Sequence, residues 1–194
     1  VSSYTRRRVL EECPLTRTSI VHNGVDRSLF RPDPTVIKDN SIIFVGNYKS
    51  RKGLRFLLDA LSLAERSGIK CKLFIVGKTT VIPDKISKAI ANLRSDVIFT
   101  GAVSNSDLVR LYNSAKLNIL TSFSTKYYFE GFGLIHLEAN ACGTLTIGAY
   151  DSGNTDIIKP GSGFLVEYGD TIRLSDIICE VLNETSYELL RPSV

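Results

Sequence analysis

A glycine turn leading into a helix is the part of this sequence best suited to chemistry. It reads Glu130-Gly131-Phe132-Gly133, and helix-forming residues follow as far as Gly143. Glycine lets a backbone approach a ligand closely, and a helix start presents unpaired N–H groups and the positive end of its dipole. Because this combination binds anions, we expect a phosphate or diphosphate at the turn.

Two carboxylates flank the predicted anion site. Glu130 precedes the turn, and Glu138 lies on the helix about 7 Å further along its axis, at ~1.5 Å per residue. A carboxylate repels phosphate, so each is better suited to accept hydrogen bonds from hydroxyl groups on either side of the anion. A sugar joined to a nucleoside diphosphate carries hydroxyls in both places, on its ribose and on the sugar itself.

A basic loop, Gly46-Asn47-Tyr48-Lys49-Ser50-Arg51-Lys52-Gly53, connects an earlier strand to the next helix. Cations are unfavourable at a helix start unless an anion lies nearby, which favours a ligand here. Arg51 offers a forked guanidinium that binds phosphate oxygens in pairs, and Lys52 offers a compact ammonium. The alternative interpretation is that both are solvated cations.

Repeated strand–helix units must position these loops. From Ser41 onward, short β-branched runs alternate with longer amphipathic stretches, a pattern typical of a parallel sheet. The predicted strands are Ile42–Val45, Lys72–Val76, Val97–Thr100, Leu117–Thr121, Leu145–Gly148 and Gly163–Val166. The predicted helices are Gly53–Ser67, Lys85–Arg94, Asn105–Ser114, Gly133–Cys142 and Thr171–Glu184. Continuous apolar strands indicate a sheet covered on both faces, which binds ligands at the carboxyl ends of its strands.

The opening segment differs from these units. We predict a helix over Tyr4–Glu12, a strand over Ser19–His22 and a turn at Asn23-Gly24. Pro32, Asp33 and Pro34 then punctuate the chain in the manner of a linker between domains. The predicted boundary lies near Pro34.

With these motifs, the chain resembles the glycogen-synthase-like group of retaining GT-B glycosyltransferases. Glu130 and Glu138, with seven residues between them, match that family's paired glutamates, and Lys52-Gly53 matches its K-G. The resemblance implies a Rossmann-like, three-layer α/β domain with a parallel sheet, the C-terminal half of a GT-B fold. Residues 1–33 would then be the end of an N-terminal acceptor domain with its connector, and residues 34–194 the nucleotide-sugar-binding domain.

The resemblance also implies a donor site. Glu130 would contact the transferred sugar, Glu138 the ribose, and the amides of the glycine turn the diphosphate. The implied catalytic residues are Arg51, Lys52 and Glu130. The implied donor-binding residues are Gly46, Asn47, Arg51, Lys52, Gly101, Val103, Glu130, Gly131, Phe132, Gly133, Leu134 and Glu138. Neither a metal ion nor a cofactor is expected beyond the nucleotide-diphosphate sugar, which is a substrate.

Three positions depart from the family pattern. Asn47 stands where the family has arginine, and Arg51 is the nearest replacement. The loop Phe123–Phe129 is enlarged, which implies a different sugar specificity, and its tyrosines either shape a pocket or cover the domain edge. Asp156 replaces a glutamate in a glycine-rich turn.

His136 is interpreted as a packed residue rather than a catalytic one, and His22 has no identifiable partner.

Composition and charge restrict the setting. The net charge of +4 and the hydrophobic share of 43% are ordinary for a soluble protein. No apolar stretch is long enough to span a bilayer, and the four scattered cysteines suit a reduced compartment, so we expect a cytoplasmic location. The run Arg6–Arg8 is either a solvated helix face or a contact with the inner face of a membrane. Nucleic-acid binding is not expected, because no aromatic residues interleave the run.

The implied function is transfer of a hexose from a nucleotide-diphosphate sugar to an acceptor, with retention of configuration. Because methionine is absent even at position 1, we expect a fragment of a longer protein that binds donor and transfers poorly alone. The alternatives are a noncatalytic nucleotide-sugar-binding subunit and a GT-B nucleotide-sugar epimerase. A dinucleotide-dependent oxidoreductase is disfavoured, because the first strand is not followed by G-x-G-x-x-G.

Overall fold

A six-stranded parallel sheet forms the centre of the computed structural model, which describes residues 1–14, 17–78 and 81–190. Its strands are β1 Asp39–Val45, β2 Lys72–Val76, β3 Asp96–Gly101, β4 Ala115–Ile119, β5 Leu145–Ala149 and β6 Gly163–Val166. Their order is β3-β2-β1-β4-β5-β6. The sequence order reverses between β1 and β4, and ligands of open α/β sheets bind at the carboxyl side of such a reversal.

Helices connect the strands, and the amphipathic stretches predict most of them. They are α1 Ser3–Glu12, α2 Leu54–Arg66, α3 Asp84–Ala91, α4 Asn105–Ser114, α5 Leu134–Ala141, α6 Thr171–Leu182 and α7 Glu184–Leu190. Single 3₁₀ turns lie at Ser50–Lys52 and Gly153–Asp156. The chain leaves helical geometry at Asn183, whose side chain then accepts a hydrogen bond from the amide of Ser186. The predicted helix Thr171–Glu184 therefore corresponds to α6, and α7, which was not predicted, begins at Glu184.

Apolar side chains on the two faces of the sheet make the three layers. Ile42 and Phe44 of β1 pack in one cluster with residues of α2 and α6. Ile43 faces the other way and joins a second cluster with Tyr112 of α4 and Ala139 of α5. Full burial of an isoleucine or phenylalanine side chain, as in β1, stabilises the fold by about 1.5–3 kcal/mol. The predicted Rossmann-like α/β fold is confirmed.

The cysteines take part in this packing. All four are free thiols, and Cys71 and Cys142 are buried. Burial raises the pKa of each of these two thiols to about 11. They therefore remain protonated at neutral pH and pack as small apolar groups.

The predicted strand at Ser19–His22 is wrong. This segment pairs with none of the described strands, and the edges of the sheet are β3 and β6. A β-branched run becomes a strand only where a neighbour completes its backbone hydrogen bonds, so local composition was insufficient. Its last residue, His22, instead contacts the loops at the carboxyl end of the sheet, as described below.

Close contact between two loops places the basic segment beside β4. Gly53 has φ +79°, and a Cβ added there would lie 2.4 Å from the carbonyl oxygen of Thr121. Glycine is therefore required at this position, both for its left-handed backbone and for the approach of the two loops. The contact brings the 3₁₀ turn Ser50–Lys52 next to the loop that follows β4.

Candidate active site

The glycine turn before α5 has free hydrogen-bond donors. Gly133 has φ +90° and precedes the first residue of the helix, Leu134. Within the described residues, no acceptor meets the amide N–H groups of Phe132, Gly133 and Leu134. Unpaired amides at the positive end of a helix are suited to an anion, as the sequence predicts.

The carbonyl groups of the same turn are bonded to the protein. The oxygen of Glu130 accepts from the amide of Gly153 at 2.8 Å, and the oxygen of Phe132 accepts from Asn154 Nδ2 at 3.1 Å. Asn154 is fully buried, and its Oδ1 also accepts from the amide of Ala149 at 3.2 Å. Acceptors are thus turned towards the protein while donors remain available. Sequence reasoning missed this role of Asn154, because 22 residues separate it from Phe132.

The predicted catalytic residues meet at one carboxylate oxygen. Lys52 Nζ lies 2.5 Å from Glu130 Oε2, and Arg51 Nη1 lies 3.9 Å from the same atom. Ser122 Oγ donates to that oxygen at 3.0 Å. Arg51 Nη1 is buried and has no hydrogen-bond partner among the described residues. Two cations therefore share one carboxylate immediately before the glycine turn, which leaves an excess of positive charge beside its free amides.

Glu138 is held separately, on α5. Its Oε2 accepts from the hydroxyl of Tyr112 at 3.3 Å. Burial raises the pKa of the Glu138 carboxyl, and the hydrogen bond from Tyr112 opposes this shift. Burial also raises the pKa of Tyr112 far above its usual range, so its hydroxyl remains a donor. The sequence predicted the helix that carries Tyr112, at Asn105–Ser114, but did not indicate this contact with Glu138.

His136 lies beneath the turn and is fully buried, which agrees with its interpretation as a packed residue. Its Nδ1 lies 3.2 Å from Asn118 Nδ2. Burial lowers the pKa of His136 from 6.5 to about 4, so the imidazole is neutral at physiological pH. A neutral, buried imidazole supports the start of α5 as a packed and hydrogen-bonded group.

Acid is therefore expected to destabilise the fold through His136. The unfolded chain binds a proton below pH 6.5 but the folded chain only near pH 4, so stability is complete above 6.5 and falls between these values. The expected loss is about 3 kcal/mol, at 1.36 kcal/mol per pKa unit. Urea unfolding from pH 7.5 to 4.5 measures it, and the difference between wild type and His136→Gln isolates it from the carboxylates. If the free energy of unfolding depended on pH in the same way for wild type and His136→Gln, the prediction would be contradicted.

The remaining predicted donor-binding residues lie along the same edge of the sheet. Gly46 follows β1, and its amide donates to the carbonyl of Val76 at 2.8 Å. Asn47 is exposed, and its Oδ1 accepts from the amide of Lys49 at 3.4 Å. Gly101 ends β3, and Val103 packs in the cluster that contains Tyr112. In the described part of the chain, none of these four residues is hydrogen-bonded to the side chains of Lys52 or Glu130.

His22 reaches the site from the opening segment. Its Nε2 lies 3.0 Å from Asp156 Oδ2, and its ring stacks on Phe132 with centroids 6.1 Å apart. Burial opposes the charged form of Asp156, but hydrogen bonds from Ser3 and His22 outweigh it and hold the pKa of the carboxyl below its usual value. A partner for His22 was not predicted, because 134 residues separate it from Asp156.

The enlarged loop after β4 projects outward. Tyr127 is 78% exposed and Tyr128 is 65% exposed, so neither covers the edge of the domain. Arg8 of α1 contacts the base of the loop, donating to the carbonyl of Lys126 at 2.8 Å and lying over the ring of Phe129. The tyrosine side chains are thus free to meet another molecule beside the candidate site.

Metal-binding clusters and membrane-spanning helices are both absent from residues 1–14, 17–78 and 81–190. No group of three His, Cys, Asp or Glu side chains there is arranged to hold a metal ion. No helix in those ranges combines the length and apolar character needed to cross a bilayer.

Comparison with known proteins agrees with the fold and identifies the family. The family model of glycosyl transferases group 1 matches residues 26–191. The D-inositol 3-phosphate glycosyltransferase of Mycolicibacterium smegmatis is 32% identical over 201 residues, which cover 95% of this chain and 44% of that protein. The chain thus spans less than half the length of this relative.

Solved structures share the fold. The C-terminal domain of LpcC, a glycosyl transferase group 1 family protein from Francisella tularensis, is 20% identical with a TM-score of 0.69, covering 86% of this chain and 92% of that one. HepE from Anabaena, in complex with UDP-glucose, is 21% identical with a TM-score of 0.75, covering 96% of this chain and 54% of that one. Because the family model matches residues 26–191, which is most of the chain, this chain belongs to the glycosyl transferases group 1.

Proposed function

We propose that this chain is the donor-binding half of a retaining glycosyltransferase, which transfers a hexose from a nucleotide-diphosphate sugar to an acceptor. The observation that carries the proposal is the junction of the free amides at the glycine turn with the two cations at Glu130. Family membership supports transfer chemistry. The UDP-glucose bound to HepE supports a nucleotide sugar as the donor.

Departure of the diphosphate is the step that these groups serve. A developing negative charge is stabilised by donors already oriented towards it, here the amides of Phe132 and Gly133 with the cations of Arg51 and Lys52. When the phosphates draw Lys52 away, the carboxylate of Glu130 becomes free to accept from sugar hydroxyls. No protein nucleophile is assigned, and retention follows from the resemblance to the family.

Glu138 is proposed to bind the ribose. Tyr112 occupies its Oε2, which leaves Oε1 to accept from a ribose hydroxyl. Burial makes this hydrogen bond stronger than it is in water. Gly101 and Val103 are proposed to lie against the nucleotide base.

The rest of the protein is also a matter of proposal. Residues 1–33 are assigned to the end of an acceptor domain and its connector, and residues 34–194 to the donor domain. We place the protein in the cytoplasm, with Arg6–Arg8 available for peripheral contact at the inner face of the membrane, and assign it no nucleic-acid partner, metal or cofactor. The isolated chain is expected to bind donor but to transfer poorly, because the acceptor binds elsewhere.

Calorimetric titration tests the donor site. The chain is titrated with UDP-, GDP- and ADP-linked hexoses and with NAD, and saturable binding of one nucleotide sugar is expected. Glu138→Ala should weaken that binding by about tenfold, through loss of hydrogen bonds to a charged group. Glu167→Ala is the matched control, because Glu167 is exposed and follows β6. Binding of NAD alone, or equal affinity of Glu138→Ala and wild type, would contradict the proposed site.

Catalysis is tested on the protein with both domains. Transfer of the sugar, with the anomeric configuration of donor and product compared by NMR, would support a retaining enzyme. Donor binding without transfer to any of a set of polyol, sugar and lipid-linked acceptors would favour the noncatalytic subunit. Conversion of the donor to its sugar epimer would favour the epimerase.

A further inference from the structure

The opening helix holds the glycine turn through two hydroxyl groups. Ser2 Oγ donates to the carbonyl oxygen of Gly131 at 2.5 Å, and Thr5 Oγ1 donates to the same oxygen at 3.0 Å. These residues precede Gly131 by 129 and 126 positions. Ser2 is fully buried. A carbonyl oxygen has two lone pairs, so both hydroxyls satisfy it together.

Holding this carbonyl also sets the direction of an amide. In a trans peptide the C=O of one residue and the N–H of the next point in opposite directions within one plane. Fixing the carbonyl of Gly131 therefore fixes the N–H of Phe132, one of the free donors of the turn. Gly131 has no side chain to restrict its backbone, so the peptide needs such restraint to keep one orientation.

The neighbouring peptides are restrained in the same way but from within the donor domain. The amide of Gly153 donates a hydrogen bond to the carbonyl of Glu130, and the side chain of Asn154 donates one to the carbonyl of Phe132. The middle peptide is held from α1. A Cβ added to Gly131 would lie 3.2 Å from Thr5 Oγ1, which shows how closely the helix approaches the turn.

The two hydroxyls are themselves fixed in place. Ser2 is the N-cap of α1, and its Oγ accepts from the amide of Thr5 at 3.0 Å. Tyr4 packs against Phe129 with ring centroids 5.5 Å apart. The amide of Ser3 donates to Asp156 Oδ2 at 2.6 Å. The helix start is thus attached both to the loop that precedes the glycine turn and to the 3₁₀ turn that follows β5.

We propose that Ser2 and Thr5 are positioning residues, which hold the Gly131–Phe132 peptide so that its N–H points at the donor diphosphate. This inference rests on the donor site proposed above. It gives α1, which is assigned to the acceptor domain, a role in phosphate binding. Displacement of α1 would release the peptide and weaken the hold on the diphosphate.

The test compares Thr5→Val with wild type in the whole protein. Affinities are measured by calorimetry for UDP, GDP and ADP and, by NMR titration, for uridine, guanosine and adenosine. Thr5→Val should weaken binding of the preferred nucleoside diphosphate by about threefold, and Ser2→Ala with Thr5→Val by about tenfold, the range of one and two lost hydrogen bonds. Affinity for the matching nucleoside should stay unchanged, because it lacks the phosphates.

Three controls separate positioning from general loss of structure. Thr5→Ser keeps the hydroxyl and should restore wild-type affinity. Thr18→Val removes a hydroxyl that bonds Arg6 rather than the turn, and it should leave diphosphate binding unchanged. Thermal unfolding of each variant reports whether the fold persists, which matters for Ser2→Ala because it also removes the helix cap.

The outcomes distinguish the two proposals. Equal affinity of wild type and Thr5→Val for the diphosphate, or a parallel loss for the nucleoside, would overturn the positioning role while leaving the donor site in place. If wild type binds none of the three nucleoside diphosphates, the donor site fails and this inference fails with it.

Discussion

Lys52→Ala is expected to lower the affinity of the chain for its nucleoside diphosphate by at least about tenfold, the effect of losing a hydrogen bond between charged groups. In the structure, Lys52 Nζ forms an ion pair with Glu130. It follows β1, next to the point where the strand order reverses between β1 and β4. Removing the ammonium would delete the proposed phosphate contact and leave the Glu130 carboxylate facing the anion with less positive charge to compensate it. Calorimetry with the diphosphate that binds wild type measures the change.

Lys49→Ala is the matched control for Lys52. Lys49 lies three residues earlier in the same loop, is exposed, and forms no ion pair with the described residues. It changes the net charge equally, so long-range attraction of the anion changes similarly in both variants. Similar losses for the two variants would mean that overall charge, rather than a contact of Lys52, determines binding.

Gly133→Ala is expected to destabilise the fold by about 3 kcal/mol or more, combining left-handed strain with overpacking. The residue has φ +90°, and an added Cβ would lie 2.4 Å from Asn154 Nδ2 and 2.9 Å from His136 Cδ2. Both neighbours are fully buried, so neither can move aside freely. Urea unfolding at pH 7.5, where His136 is neutral, measures the loss.

Gly68→Ala separates strain from contact. Gly68 also has φ +90°, but a Cβ added there would have nothing within 4 Å. Gly68→Ala should lower the free energy of unfolding by about 1–2 kcal/mol, the cost of a left-handed backbone at an L-residue alone. The excess loss in Gly133→Ala then measures packing against Asn154 and His136. Equal losses would show that the turn can relax and that this packing does not constrain it.

The main elements were predictable because their signals are local. Short apolar runs and amphipathic stretches predicted β1 to β6 and most helices, and these patterns arise within each segment. The paired glutamates, the glycine turn and Lys52-Gly53 were recognised from spacing, and the structure brings Glu130, Arg51 and Lys52 together. Those roles in donor binding stay predictions.

The failures concern partners distant in sequence. Ser19–His22 has the composition of a strand but no described neighbour to pair with. The hydrogen bond of Tyr112 to Glu138, and that of Asn154 to the glycine turn, could not be predicted from residue spacing. Each contact depends on how the elements stack rather than on the residues nearby.

By itself, the sequence determined the strand–helix alternation, the glycine turn before α5 and the family. These depend on backbone preferences and on residue types at short spacing, which need no knowledge of the packed chain. The tertiary structure alone decided that Glu130 pairs with Lys52, that Arg51 keeps a buried nitrogen with no partner among the described residues, and that α1 holds Gly131. These contacts join residues 78 to 129 positions apart, and only the order of strands in the sheet and the docking of α1 bring such groups within hydrogen-bonding distance.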